Sequence, residues 1–191
     1  MNCNPFTNGH LYLIEQASKQ VDNLYIFVVS EDKSYFPFAD RIALVREGTE
    51  HLRENVVVLP SGRFVLSANT FPEYFEKESA SEDTFVDTSF DVEIFSKYIA
   101  PALNVKKRFA GEEPFDVVTR QYNRDMKRVL PLYGIEFVEI PRKTEGTEVI
   151  SASKVRKFLD GNDFEQIKSF VPIFTYRYLV KRFKKCSDAE I

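Results

Sequence analysis

The sequence has few cysteines, no excess of basic residues and no long hydrophobic run. Its two cysteines, Cys3 and Cys186, lie near opposite ends of the 191 residues without CxxC spacing, which argues against a disulfide framework or a cysteine-based zinc site. The formal net charge of −3 gives no overall attraction to nucleic acid or to an anionic membrane. Neither a basic-then-apolar leader nor an apolar run of membrane-spanning length occurs. We therefore expect a cytoplasmic protein that binds neither nucleic acid nor a membrane.

The common signatures of nucleotide-binding proteins and hydrolases are also missing. The sequence contains no GxxxxGK[ST] phosphate loop, no GxGxxG and no GxSxG, so these phosphate-binding and nucleophile motifs are not available. Because the net charge is slightly negative, any phosphate binding must come from a local arrangement of residues.

What the sequence does contain is an alternation of short apolar runs with longer amphipathic stretches. The predicted strands are 24–30, 56–59, 106–111 and 135–140, and the predicted helices are 10–21, 39–55, 90–101, 116–130 and 150–159. This alternation indicates an α/β fold with a Rossmann-like, mainly parallel sheet and helices on both faces. Ligands bind such sheets at the carboxyl ends of the strands.

Two charged segments lie outside this pattern. From Glu73 to Glu93 the chain carries eight acidic residues against Lys77 alone, and we interpret this part as a solvated insertion. The basic stretch 176–185 is typical of the solvated face of a C-terminal helix. His51 and Cys3 have no partners in the sequence, and we interpret both as structural.

A first candidate site lies at the start of the first predicted helix, where Thr7, Asn8, Gly9 and His10 precede an apolar pattern. Unpaired backbone N–H groups and the helix dipole favour an anion there. Glycine allows the backbone to approach a phosphate, and the histidine can donate a hydrogen bond to it. Alone, the motif is also typical of an ordinary helix cap.

A second candidate site lies at the start of the last predicted helix, in the segment ISASKVR over residues 150–156. Lys154 and Arg156 are unfavourable near the positive end of a helix dipole unless an anion lies between them and the helix. The β- and γ-phosphates of a nucleotide suit that position. Alone, this motif is also typical of a serine N-cap followed by solvated cations.

Together, the two motifs resemble the nucleotidyltransferase superfamily marked by (H/T)xGH after its first strand and by ISSTxxR near its end. The segments MNCNPFTNGH, GEEPFDVVTRQYN and ISASKVR are more specifically similar to the adenylating C-terminal domain of citrate lyase ligases. This resemblance covers essentially the whole chain. It implies a single nucleotidyltransferase-like domain over residues 1–191, without the N-terminal acetyltransferase-like domain of that family.

The resemblance also implies a reaction. A citrate lyase ligase uses ATP to activate acetate as acetyl-AMP, releases pyrophosphate, and transfers the acetyl group to the thiol prosthetic group of the acyl carrier subunit of citrate lyase. The expected Mg²⁺ is held mainly by the phosphates. We predict catalytic roles for His10, Lys33 and Arg156. The predicted nucleotide-binding residues are Asn2, Thr7, Gly9, His10, Gly111, Glu112, Phe115, Ile150, Ser151, Ser153 and Arg156.

The sequence departs from this family at two places. Ala152 replaces the usual serine of the second motif, which removes one hydroxyl contact. The first strand of the family lies just before the MNCNPF turn, so this chain begins at or after the end of a central strand. Such a loss leaves two neighbouring strands unpaired, and we predict that another segment or another chain fills the slot.

Two other functions fit the same motifs. One is an adenylyltransferase that acts on a phosphorylated small molecule, such as a pantetheine phosphate or a mononucleotide. The other is a catalytically inactive remnant that binds a nucleotide or a carrier protein without turnover.

Overall fold

A computed structural model describes residues 1–75, 88–146 and 148–184. Most of the predicted acidic insertion lies outside these described residues, and so does Cys186. Within the described ranges, no helix combines the length and the apolar composition needed to span a membrane.

The described chain alternates strands with helices, as predicted. The strands are β1 (Leu24–Val28), β2 (Val56–Pro60), β3 (Lys107–Gly111), β4 (Glu136–Ile140), β5 (Thr144–Glu145) and β6 (Glu148–Val149). The helices are α1 (Asn8–Ser18), α2 (Phe38–Thr49), α3 (Ser89–Ile94), α4 (Ala100–Ala102), α5 (Val117–Val129), α6 (Ala152–Asp160), α7 (Phe164–Phe170) and α8 (Ile173–Phe183). The prediction of a parallel α/β fold is confirmed.

The four long strands form two separate parallel pairs. β1 pairs with β2 and β3 pairs with β4, each over five residues, and no hydrogen-bonded ladder joins the two pairs in the described part of the chain. A cavity of about 1670 Å³ is lined by both β1 and β3. The sheet therefore has an open strand position between its two halves.

Met1 occupies one end of this open position. Its amino group donates to the Phe27 carbonyl at 2.5 Å, and its carbonyl accepts from the Val29 N–H at 3.0 Å. This exchange is one rung of a parallel ladder, with Met1 opposite Val28 at the carboxyl end of β1. None of the described residues continues the ladder into the slot, so the predicted filling of the slot stays a prediction.

Helices pack on both faces of the sheet at β3. On one face, a Cβ at Gly111 would lie 3.9 Å from the Leu13 side chain of α1. On the other face, the Arg108 guanidinium donates to the Tyr122 hydroxyl of α5 at 2.5 Å. α1 and α5 therefore enclose the open strand position from opposite sides.

The C-terminal helices hold the start of α1 in place. A Cβ at Gly48 of α2 would lie 2.6 Å from the Phe6 ring and 2.8 Å from the Phe174 ring, so these rings can pack only against a glycine. The Asn8 amide also donates to the Ser169 carbonyl at the end of α7, at 2.9 Å. The start of α1 is thus fixed by residues about 160 positions away in the sequence.

Several boundaries differ from the predicted ones. The first strand ends at Val28 instead of residue 30, because its ladder with β2 ends at the Val28–Pro60 pair and the Ser30 N–H donates to the Ser61 side chain. The helix predicted over 90–101 is α3 followed by the π-helical turn Phe95–Ile99 and α4. The short β5–β6 hairpin and α7 were not predicted, because neither has a periodic pattern long enough to identify it.

Candidate functional site

The candidate site surrounds the mouth of the cavity at the carboxyl ends of β1, β3 and β4. Every residue predicted to be catalytic or nucleotide-binding lines this cavity, and their roles stay predictions. These residues are Asn2, Thr7, Gly9, His10, Lys33, Gly111, Glu112, Phe115, Ile150, Ser151, Ser153 and Arg156.

Thr7 and His10 form a reciprocal cap at the start of α1. The Thr7 hydroxyl accepts from the His10 backbone N–H at 3.4 Å, and the Thr7 backbone N–H donates to His10 Nδ1 at 3.1 Å. Because Nδ1 accepts this bond, the hydrogen-bond network assigns the proton of the neutral imidazole to Nε2. His10 therefore lines the cavity with one remaining N–H donor.

The surroundings of His10 keep the imidazole neutral. Burial lowers the pKa of His10 to about 3, and the positive charges of the Met1 α-amine and Arg142 add to this effect. A neutral imidazole with a proton on Nε2 can donate a hydrogen bond without acting as a base at neutral pH. The cap thus leaves His10 as a neutral hydrogen-bond donor.

This shifted pKa predicts an acid-dependent loss of stability. The ordinary pKa of histidine is about 6.5, so the unfolded chain binds a proton below that pH while folded His10 does not. The free energy of unfolding should fall as the pH drops below about 6.5, by at most about 1.4 kcal/mol per pH unit from this group. Urea denaturation at pH 7 and pH 5 measures the loss.

The matched variants for this experiment are His10→Asn and His51→Asn. His10→Asn should show a smaller loss between the two pH values than the unsubstituted chain. His51 has a 54% exposed side chain that lies 3.5 Å from Glu15, and His51→Asn should keep the loss that His10 causes. Equal pH dependence in the unsubstituted chain and His10→Asn would contradict the buried neutral imidazole.

The two sequence motifs touch each other although about 140 residues separate them. A Cβ at Gly9 would lie 3.3 Å from the Ile150 carbonyl oxygen, which is tighter than ordinary contact. The Arg156 guanidinium also donates to the Asn4 carbonyl at 2.8 Å. Gly9 therefore has a packing role that the sequence did not reveal, because it lets the start of α1 approach the residue before α6.

The start of α6 presents hydroxyls to the cavity. Ser151 is the N-cap, and its hydroxyl accepts from the Lys154 N–H at 3.3 Å and lies 3.1 Å from the Ser153 hydroxyl. The Lys154 ammonium pairs with Glu148 at 3.1 Å. Ser151, Ser153 and Arg156 line the cavity, and Lys33 reaches it from the exposed loop after β1.

Arg41 is a buried organiser that the sequence analysis missed. Its fully buried guanidinium donates to the carbonyls of Asn2, Val29, Glu31 and Phe36 and to the Asn2 side-chain oxygen, at 2.7–3.0 Å. These bonds join the turn before α1 to the loop after β1. Arg41 thereby sets the position of Asn2 at the cavity wall.

Replacing Arg41 by methionine should strongly destabilise the fold. The change removes the guanidinium from five buried or partly buried hydrogen bonds, and we expect the free energy of unfolding to fall by about 3–5 kcal/mol. Arg41→Lys should recover only part of the loss, because an ammonium lacks the planar fork. Arg46→Met, on an exposed position of the same helix, is the control. Urea denaturation compares the variants; equal losses for Arg41→Met and Arg46→Met would contradict the organising role.

The loop after β3 forms another wall of the cavity. Gly111 ends β3, Glu112 and Phe115 belong to the loop that follows, and Phe115 is 71% exposed. Behind the loop, the Asn123 amide donates to the Gly111 carbonyl at 3.0 Å and the Arg120 guanidinium donates to the Pro114 carbonyl at 3.1 Å. Arg142, which follows β4, also contacts the loop and was not predicted.

The described residues offer no ready-made metal centre. No group of three His, Cys, Asp or Glu side chains is placed to share an ion anywhere in the described ranges. We therefore assign no metal ligand among the described residues.

The protein-family model named citrate lyase ligase C-terminal domain matches residues 1–179 of this chain. The chain belongs to this family. Among the curated members of the citrate lyase ligase family, the ligase of Escherichia coli K12 is 47% identical over 184 residues, which cover 94% of this chain and 52% of the relative. The ligase of Haemophilus influenzae is 40% identical over 187 residues, covering 95% and 55%. The chain thus spans about half the length of these curated relatives.

This citrate lyase ligase family chain is also similar to two more distant proteins, and these similarities bear on its fold. The structure of Thermotoga maritima TmcAL bound with alpha-thio ATP matches with a TM-score of 0.52 and 16% identity, over 96% of this chain and 55% of that one. Phosphopantetheine adenylyltransferase of Streptococcus sanguinis is 44% identical over 59 residues, which are 30% of this chain and 35% of the relative. Both agree with the nucleotidyltransferase fold.

Proposed function

We propose that this domain is the adenylating part of a cytoplasmic ATP-dependent ligase that activates acetate and transfers the acetyl group to the thiol prosthetic group of the citrate lyase acyl carrier subunit. The observation that carries the proposal is the contact between the starts of α1 and α6. It brings the neutral His10 donor and the hydroxyls of Ser151 and Ser153 to one cavity.

The arrangement suits a nucleotide triphosphate. Backbone N–H groups at the two helix starts favour anions, so the phosphates lie between them. His10 Nε2–H donates to the α-phosphate, Ser151, Ser153 and Arg156 hold the β- and γ-phosphates, and Lys33 adds charge from the loop after β1. Phosphate oxygens hold Mg²⁺, which neutralises developing charge when it is bound. The nucleoside lies toward the loop of Gly111, Glu112 and Phe115.

The reaction needs no protein nucleophile. A carboxylate oxygen of acetate attacks the α-phosphorus, the bond to the pyrophosphate oxygen breaks, and acetyl-AMP and pyrophosphate form. The carrier thiolate then attacks the acetyl carbonyl, and AMP leaves with the bonding electron pair. Positioning and charge stabilisation by the helix starts account for the catalysis.

Cys3 does not serve as the thiol of this reaction. Its side chain is fully buried, and burial raises the pKa of the thiol to about 12. A thiol with so high a pKa is a poor nucleophile at neutral pH. This supports an acyl acceptor that comes from outside the domain.

Pyrophosphate release tests the proposal. The chain is incubated with ATP and Mg²⁺, alone, with acetate, or with 4′-phosphopantetheine or nicotinamide mononucleotide in place of acetate. The proposed ligase releases pyrophosphate only with acetate. Release that is independent of acetate would contradict it.

The same assay separates the two other functions. An adenylyltransferase, favoured by the likeness to phosphopantetheine adenylyltransferase over 59 residues, needs the phosphorylated acceptor. An inactive remnant, favoured by the open strand position, binds ATP without releasing pyrophosphate under any of these conditions.

A further inference from the structure

The loop between β3 and α5, residues 112–116, is held in one shape by a nearly complete set of hydrogen bonds. The Glu112 N–H donates to the Ile140 carbonyl at 3.0 Å. The Phe115 and Asp116 N–H groups both donate to one oxygen of the Glu113 carboxylate at 3.1 Å. Pro114 has no N–H, so the loop keeps one backbone donor without a described partner, the Glu113 N–H.

Arg142 completes this arrangement from the neighbouring strand. It donates from Nε to the Glu112 carbonyl at 2.6 Å and from Nη2 to the second oxygen of the Glu113 carboxylate. The side chains of Arg142 and Glu113 are only 24% and 11% exposed. A planar guanidinium presents its donors in a fixed fork that matches both acceptors, whereas an ammonium lacks this geometry. The loop is therefore held by Glu113, which belongs to it, and by Arg142, which reaches it from the end of β4.

The charges around the cavity place the nucleoside at this loop and the phosphates elsewhere. Glu112, Glu113 and Asp116 make the loop acidic, and the Asp116 carboxylate already caps the start of α5 by accepting from the Thr119 N–H at 2.6 Å. Unlike the hydroxyl caps of α1 and α6, this cap is a carboxylate, and its negative charge disfavours a phosphate at the start of α5. An exposed aromatic ring, Phe115, stands beside the remaining backbone donor, which suits a flat base.

We infer that Arg142 is a positioning residue for the nucleoside, acting through Glu113 on the loop that follows β3. This inference rests on the proposed function for the identity of the ligand. Removing the Arg142 guanidinium takes the donor from the Glu112 carbonyl and from one oxygen of the Glu113 carboxylate, while the other oxygen keeps the Phe115 and Asp116 N–H groups. The loop then loses its side-chain link to the end of β4 and relaxes away from the shape that accepts the nucleoside.

A competing role for Arg142 is direct contact with the phosphates. Its charge contributes to lowering the pKa of His10, so its field extends to the phosphate end of the cavity. The two roles differ in the part of the nucleotide that they affect. If Arg142 positions the loop, its removal lowers the affinity for ATP and AMP but not for inorganic tripolyphosphate. If Arg142 contacts the phosphates, its removal lowers the affinity for ATP and tripolyphosphate.

The experiment measures dissociation constants of ATP, AMP and tripolyphosphate for the full chain and for Arg142→Met, Arg142→Lys, Glu113→Gln and the double variant Arg142→Met/Glu113→Gln. We expect Arg142→Met to raise the dissociation constants of ATP and AMP about tenfold and to leave that of tripolyphosphate unchanged. Arg142→Lys should restore little of the lost affinity. The fold-loss of ATP affinity in the double variant should be smaller than the product of the fold-losses in the two single variants, because the residues act together. Arg128→Met, in an ion pair with Asp125 on α5, is the matched control.

Two results would overturn the inference. One is an equal loss of affinity for tripolyphosphate and ATP, with rescue by Arg142→Lys, which makes Arg142 a phosphate ligand. The other is unchanged affinity for ATP and AMP in Arg142→Met. Failure of the proposed function is seen separately. If Arg142→Met lowers the affinity for ATP and AMP but the full chain releases pyrophosphate without acetate, the positioning role of Arg142 is supported and the ligase assignment is contradicted.

Discussion

Replacing His10 by alanine should lower the rate of acetate-dependent pyrophosphate release by about 10²-fold or more. The expected loss comes from one hydrogen-bond donor, the Nε2–H of His10. His10 is neutral because burial lowers its pKa to about 3, and the Thr7 N–H occupies Nδ1, so only Nε2–H is available to the α-phosphate. Alanine removes that donor from a site where it is already oriented.

Two controls make the His10 experiment specific. His10→Gln keeps an amide donor at similar reach but loses the bond to the Thr7 N–H, and we expect it to retain part of the activity. The affinity for ATP should change far less than the rate, since the donor stabilises charge that develops in the transition state. A measurable rate that is the same in His10→Ala and in the unsubstituted chain would contradict a catalytic role for His10, whereas a negligible rate in both would favour the inactive remnant.

Joining an extended apolar segment of five residues to the amino end of Met1 should raise the thermal stability. Met1 already makes one rung of a parallel ladder with Phe27 and Val29, so a preceding segment runs directly along β1. It would bond to the free edges of β1 and β3 and bury its side chains between α1 and α5. We expect a gain of about 3 kcal/mol, which corresponds to about 6–12 °C in the melting temperature.

The control for this experiment is a segment of the same length with proline at its centre. Proline removes a donor from a central strand and is excluded from such positions. Both segments replace the buried α-amine of Met1, whose pKa is lowered by burial, with a neutral amide. The difference between them therefore isolates strand pairing. Equal melting temperatures for the two segments would show that the slot does not accept a strand.

The positions of the main strands and of the two motifs could be predicted because their signals are local. β2, β3 and β4 begin and end within one residue of the predicted bounds, since short apolar runs between amphipathic helices identify buried parallel strands. The starts of α1 and α6 carry Thr7 and Ser151 as N-caps, a signal that spans only a few residues.

Arg41 and Arg142 could not be found in this way because their partners are distant in the sequence. Arg41 contacts Asn2 across 39 positions and Arg142 contacts Glu112 across 30. On a helical pattern Arg41 is indistinguishable from the exposed Arg46, and Arg142 lies in a stretch that reads as a connecting loop. The packing role of Gly9 against Ile150 was missed for the same reason.

The most direct measurement is the mass of purified citrate lyase acyl carrier subunit after incubation with this chain, ATP, Mg²⁺ and acetate. We expect a gain of one acetyl group on the thiol prosthetic group, absent when ATP or acetate is left out and strongly reduced with His10→Ala. An unchanged carrier mass, while the same chain adenylylates 4′-phosphopantetheine, would contradict the ligase assignment.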